Sequence, residues 1–243
     1  MKSIIYMVCC LSLLVITINA QTGLVPNPSF ERYSGIPLGW FYKGKHFTDV
    51  MKYWNAPTGA SPDIFGPKVR IPKHWAEKGF GKQPPRTGNS MVGLTLYGCE
   101  EGKPHCREYI QIQLKEPLVI GQNYYFEFWV NRLPRSLKVN NLGGLFSTEE
   151  LKALSDDLIA AVPQVNAANI INTPLSGWIS ISGRFQASKE FNYLTIGNFF
   201  TDEQTLVESH KRDPLTYAYY YIDDVLLKKE EPILKVPIKE DDL

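Results

Sequence analysis

Between Lys43 and Gln83 the sequence gathers four aromatic side chains, Tyr53, Trp54, Phe65 and Trp75, in a stretch rich in Pro, Gly and charge. Flat ring faces of this kind can stack on sugar rings. Asp63 stands among them as a carboxylate able to accept hydrogen bonds from hydroxyls, and loops on a rigid scaffold are where binding groups concentrate. Trp54, Asp63, Phe65 and Trp75 are therefore the candidate ligand-binding residues. The competing reading is that this stretch folds over a scaffold and its rings pack as a satellite core. Tyr124, Phe126 and Trp129 lie in a strand pattern and read as core.

Catalytic chemistry finds little to work with. The chain has no G-x-S-x-G elbow, no H-E-x-x-H pair and no P-loop. Its four histidines, His46, His74, His105 and His210, are scattered. Glycoside hydrolysis needs two carboxylates at a set separation, and nothing selects a pair among 25 acids. Cys99 and Cys106 enclose a Gly- and Pro-bearing surface loop, and in an oxidising compartment they would pair. Two free thiols are the alternative, and a zinc site through His74 and His105 lacks a regular ligand spacing.

These residues need a scaffold, and strands supply it. Ser90 to Tyr97 is β-rich, Tyr109 to Leu114 alternates apolar with polar, and Tyr124 to Val130 is a long aromatic strand. Leu142 to Phe146, Trp178 to Phe185, Tyr193 to Phe200 and Tyr217 to Leu227 follow, bounded by turn residues. Ser147-Thr148-Glu149-Glu150 fits a capping box, and Leu151, Leu154, Leu158 and Ala161 continue at helical spacing to Pro163. This predicts one short helix inserted among strands. Many strands and one helix favour an all-β, antiparallel β-sandwich over any βαβ arrangement.

Residues 1–20 read as a signal peptide: Lys2, an apolar run from Ile4 to Ile18, and a small residue, Ala20, before Gln21. The apolar run is short for a membrane span. Cys9 and Cys10 lie within it and Gln21 follows it, so no lipid anchor is expected. Cleavage removes Lys2 alone among the charges and leaves 25 Lys and Arg against 25 Asp and Glu. With no basic arm, nucleic-acid binding has no electrostatic support. The 18 Gly and 17 Pro speak against long helices, and the 30 aromatic residues against disorder. Residues 21–227 form the expected domain, and 228–243 an extended charged tail broken by Pro232 and Pro237.

Six short motifs occur in order: Asn27-Pro28-Ser29-Phe30-Glu31, Trp54-Asn55-Ala56-Pro57-Thr58-Gly59, Arg86-Thr87-Gly88-Asn89-Ser90, Arg107-Glu108-Tyr109-Ile110, Leu194-Thr195-Ile196-Gly197-Asn198-Phe199 and Tyr221-Ile222-Asp223-Asp224-Val225. From about Val25 to Leu227 the chain resembles the N-terminal domain of exported Bacteroidetes envelope proteins associated with the OmpA family. The opening and closing motifs also resemble carbohydrate-binding modules of the galactose-binding-like jelly-roll type. The resemblance implies a jelly-roll sandwich with its first and last strands close together, no catalysis, and one structural calcium held by Glu31, Asp223 and Asp224. Calcium takes six to eight oxygen ligands. The alternative is that these acids are turn and strand-edge residues. Neither the relatives' peptidoglycan-binding domain nor, after leader cleavage, a transmembrane span is expected. Three functions stand open: a glycan-binding module, a structural or protein-interaction component of the envelope, and a glycan-acting hydrolase. The expected partner is a glycan or an envelope protein. The expected location is the periplasm, the outer membrane surface or the extracellular space.

Overall fold

The structure is a computed structural model that describes residues 23–37, 44–99, 102–174, 177–209 and 214–230. The predicted leader lies outside the described residues, as does the predicted tail beyond 230. Two short helices are present, α1 (Gly44–Val50) and α2 (Lys73–Glu77). The strands are, in order, β1 (Trp54–Asn55), β2 (Asp63–Phe65), β3 (Met91–Tyr97), β4 (Ile110–Gln113), β5 (Asn123–Arg132) and β6 (Lys138–Val139). They continue with β7 (Leu142–Ser147), β8 (Val165–Asn166), β9 (Ile179–Gln186), β10 (Tyr193–Asn198), β11 (Val207–Glu208) and β12 (Ala218–Lys229).

Two five-stranded sheets face each other, ordered β1-β4-β10-β7-β8 and β2-β3-β12-β5-β9, with β11-β6 as a small separate ribbon. Every pairing is antiparallel. From β3 onward the main strands β3, β4, β5, β7, β8, β9, β10 and β12 are dealt between the sheets in jelly-roll order. The last strand lies beside β3, and the N-terminal segment runs along it through Leu24 N–H to Leu227 O (2.8 Å) and Val225 N–H to Pro28 O (3.0 Å).

Alternation builds the core. On β5, Tyr124, Phe126, Phe128 and Val130 are buried between the sheets, whereas Tyr125, Glu127 and Trp129 face outward and are half-exposed. Gly144 on β7 is required by close approach, because a Cβ there would sit 2.3 Å from the Phe126 ring. On β12, Tyr220 and Ile222 enter the main core, while Tyr219 and Tyr221 point to the other face. There they meet Phe65, Phe80, Met91 and Leu133 in a second cluster, with Trp75 of α2 packed against it. The chain excursion thus covers one part of that outer face, while on the other part Trp129, Glu127 and Tyr125 stay half-exposed.

A bulge on β12 then changes the phase of the strand. Asp223 pairs with Trp129 and Leu226 with Glu127, so β12 advances three residues where β5 advances two. Asp224 sits in the bulge at φ 49°, a left-handed conformation that Asp tolerates better than most residues.

The helix predicted from Ser147 does not form. Ser147 ends β7, and the residues after it run without helix to β8. The buried Gln111 side chain accepts from Leu151 N–H (2.9 Å) and donates to Leu151 O (3.1 Å), and Ala153 N–H donates to Pro57 O (2.7 Å). Bonds to distant partners thereby replace the helical ladder, and Leu154 is left fully exposed. Cys99 and Cys106 are joined in a disulfide. Beside it Arg107, buried, pairs with Asp202 at 2.7 Å.

Candidate functional site

The strongest site begins with Asn27, whose buried side chain ties two backbone segments together. Its amide donates to Arg32 O and Lys52 O, both at 3.0 Å, and its oxygen accepts from Arg32 N–H at 3.0 Å. Lys52 N–H closes the ladder on Arg32 O (3.1 Å). The next residue, Tyr53, is exposed, with the Arg32 guanidinium 5.2 Å and the Lys52 ammonium 5.3 Å from its ring centre. Trp54 turns the other way. It is 1% exposed, packs on Phe30 at 5.1 Å, and donates its indole N–H to Asn27 O at 3.0 Å.

A second anchor is the turn Arg86–Ser90. Asp223 Oδ2 accepts from the amides of Arg86 (2.8 Å) and Thr87 (3.2 Å), and Glu31 Oε1 accepts from those of Asn89 and Ser90 (both 2.8 Å). Gly88 completes the turn at φ +61°, and a Cβ there would strike Glu31 Oε1 at 2.4 Å. Asp224 accepts from Ser29 Oγ (2.6 Å) and Thr87 Oγ1 (2.7 Å) and pairs with Arg86 at 2.5 Å. So held, the Arg86 guanidinium lies 3.7 Å from the centre of the Trp129 indole. Glu127 accepts from the Trp129 indole N–H (3.1 Å) and from Tyr125 Oη (2.6 Å).

Tyr53 and Trp129 border one open groove of about 1090 Å³, together with Glu31, Arg32, Arg86, Gln113, Lys115, Glu127 and Asp224. Seven non-glycine residues among those described have positive φ, and four belong to this region: Asn27 (50°), Phe30 (58°), Tyr53 (76°) and Asp224 (49°). Such conformations cost of order 1–3 kcal/mol each and gather at ligand clamps and active sites.

The acids differ in charge state. Burial pushes the Asp223 carboxyl up to about 7, with the Asp224 charge adding to the shift. Burial opposes ionisation of Asp224 as well. There the hydrogen bonds from Ser29, Thr87 and Arg86, with the guanidinium charge, outweigh it and hold the carboxyl below its ordinary range.

The expected stacking set does not assemble in the groove. Trp54 is sealed in the main core, and Phe65, 4% exposed, lies in the second cluster 5.0 Å from Tyr221. Trp75 packs edge-on against Phe80 at 5.1 Å with the Lys78 ammonium 4.4 Å from its ring. Asp63 accepts from Tyr219 Oη at 2.6 Å and sits beside Glu108. Burial raises both carboxyls, and the Asp63 charge adds to the shift at Glu108. Trp129, read from sequence as core, faces outward instead. Its phase was visible, because Glu127, the lone charge in that apolar run, shares it.

Glu31 holds one half of the Arg86–Ser90 turn and Asp223 and Asp224 the other, each through hydrogen-bond donors. Backbone N–H groups and a guanidinium present positive charge to the oxygens a calcium would need. Among the described residues no three of His, Cys, Asp or Glu stand together as a ligand set. The residues present do not fit the ion.

No family model matches the chain, and no curated protein matches it. Among solved structures it is similar to the CBM22-1 xylan-binding domain of Paenibacillus barcinonensis Xyn10C, at 12% identity over 74% of this chain and 86% of that one, TM-score 0.40. It is similar to TmCBM61 in complex with beta-1,4-galactotriose, at 12% identity over 86% and 99%, TM-score 0.36. The arabinose-bound MgGH51 α-L-arabinofuranosidase matches at 9% identity over 85% of this chain and 26% of that one, TM-score 0.43. At these identities, and with TM-scores below 0.5, the likenesses transfer neither ligand nor activity.

Proposed function

We propose that the chain is an exported, non-catalytic β-sandwich module that binds a glycan chain along the groove between Tyr53 and Trp129. The observation that carries this reading is the placement of two aromatic rings on one open groove whose polar rim is fixed by buried clamps. A long open groove suits a polymer, rings offer faces to sugar C–H groups, and fixed polar groups bond hydroxyls without a large ordering cost. The sequence motifs shared with exported envelope proteins support a cell-envelope or surface location.

Affinity electrophoresis against soluble polysaccharides tests the reading. At least one polymer should retard the protein, and Trp129→Ala should weaken that retention at least tenfold without loss of fold. Retention by none, or retention untouched by the substitution, would overturn it. Intact mass of exported protein beginning at Gln21 checks the leader.

A further inference from the structure

Resting on that reading, we infer that the Tyr53 end of the groove receives an anionic substituent of the glycan, a carboxylate or a sulfate. The charges of the groove differ in their partners. Around Trp129, Arg86 pairs with Asp224, and Glu127, held by an indole N–H and a phenol, keeps its negative charge. Glu31 is committed to two backbone amides. Among the described residues the cations at Tyr53, Arg32 and Lys52, form no ion pair.

Among the described residues, no carboxylate lies within ion-pair distance of Arg32, Lys52 or Lys115. Arg32 and Lys52 rest against the Tyr53 ring, which leaves their charge uncompensated. Lys115 donates to Gly23 O at 2.6 Å, a neutral acceptor. Arg32 and Lys115 both line the groove and both are exposed. The arrangement is built rather than incidental. The buried Asn27 amide fixes the backbones of Arg32 and Lys52 to each other, and Tyr53 is held at φ 76°, which a bulky residue adopts only under constraint. A guanidinium offers a planar fork of donors that matches a carboxylate or sulfate, and the ammonium adds a point charge. An acidic sugar seated against Tyr53 would meet the Arg32 guanidinium and the Lys52 ammonium, with Lys115 lining the same groove.

The test uses the full chain in 0.15 M salt with two matched polymer pairs, polygalacturonate against its fully methyl-esterified form and dextran sulfate against dextran. Either charged polymer should bind at least tenfold tighter than its neutral partner, and which of them does so tells carboxylate from sulfate. The Arg32→Gln/Lys115→Gln double variant should abolish the preference and melt as the parent does. The control Arg184→Gln/Lys228→Gln, which removes cations outside the groove, should keep it. Equal binding of charged and neutral polymers would overturn this inference and leave the glycan reading standing. A preference that survives the Arg32/Lys115 double variant would overturn it as general polyelectrolyte attraction. Failure of every polymer to bind would overturn both.

Discussion

Glu31 and Asp223, from opposite ends of the domain, hold the two halves of a single turn: Glu31 Oε1 takes the amides of Asn89 and Ser90, and Asp223 Oδ2 those of Arg86 and Thr87. Asp223 Oδ1 also takes the Asp224 amide at 2.8 Å. Asp223→Ala would leave three amides without their acceptor, at about 1–3 kcal/mol for each that stays buried and unpaired. Asp223→Asn keeps an acceptor oxygen and should cost less. A urea titration of the two variants should rank them in that order, and equal midpoints would argue against the clamp.

Neither clamp needs an ion. The melting temperature should therefore be the same in chelator and in millimolar calcium. An ion bound by the folded state at a hundred times its Kd would add about 2.7 kcal/mol. A rise of several degrees on adding calcium would show that the carboxylates exchange their donors for a metal.

Two tryptophans should respond in opposite ways to the same change. Trp54→Ala empties a fully buried site and strands the Asn27 carbonyl, so about 3–5 kcal/mol of stability should go. Trp129→Ala removes a half-exposed ring on the outer face, so stability should change by less than about 1.5 kcal/mol while glycan retention falls. Thermal melts and affinity gels of the pair would separate packing from binding.

Acidity should stabilise the fold across a defined window. Asp63, Glu108 and Asp223 each keep a proton to higher pH in the folded chain than an ordinary carboxyl does, and for Asp223 the value is about 7. Between about pH 4 and 7 the folded chain binds more protons than the unfolded one. Stability then falls as pH rises, by about 1.4 kcal/mol per pH unit for each proton retained. Asp224 and Asp202 are shifted down, so their contribution is lost only at lower pH. Urea midpoints from pH 4.5 to 8 should decline, and Asp63→Asn should flatten the decline. A midpoint that climbs over that range would contradict the assignment.

The strand pattern was legible because alternation is local: β3, β4, β5, β7, β9, β10 and β12 all lie where apolar periodicity put them. The site was less so. Ser147 and Glu150 satisfy the local rule for a helix start, but Gln111, distant in sequence, captures Leu151 and pulls the segment straight. Tyr53 and Trp54 are neighbours of similar chemistry, and distant partners, the Asn27 carbonyl, the Phe30 ring and the Ile112 pairing, hold Trp54 as the buried one. The end motifs pointed to Glu31 and Asp223, which hold the same turn. What they could not show was that the intervening space is filled by the amides of a turn.

The bulge at Asp224 makes β12 two strands of opposite phase spliced into one. Residues of odd number face outward before it and residues of even number after it. Deleting Asp224 would close the bulge and restore simple alternation, with Val225 and Leu227 still inward and Lys228 still outward, so the loss would be the carboxylate that holds Ser29, Thr87 and Arg86 and not the core.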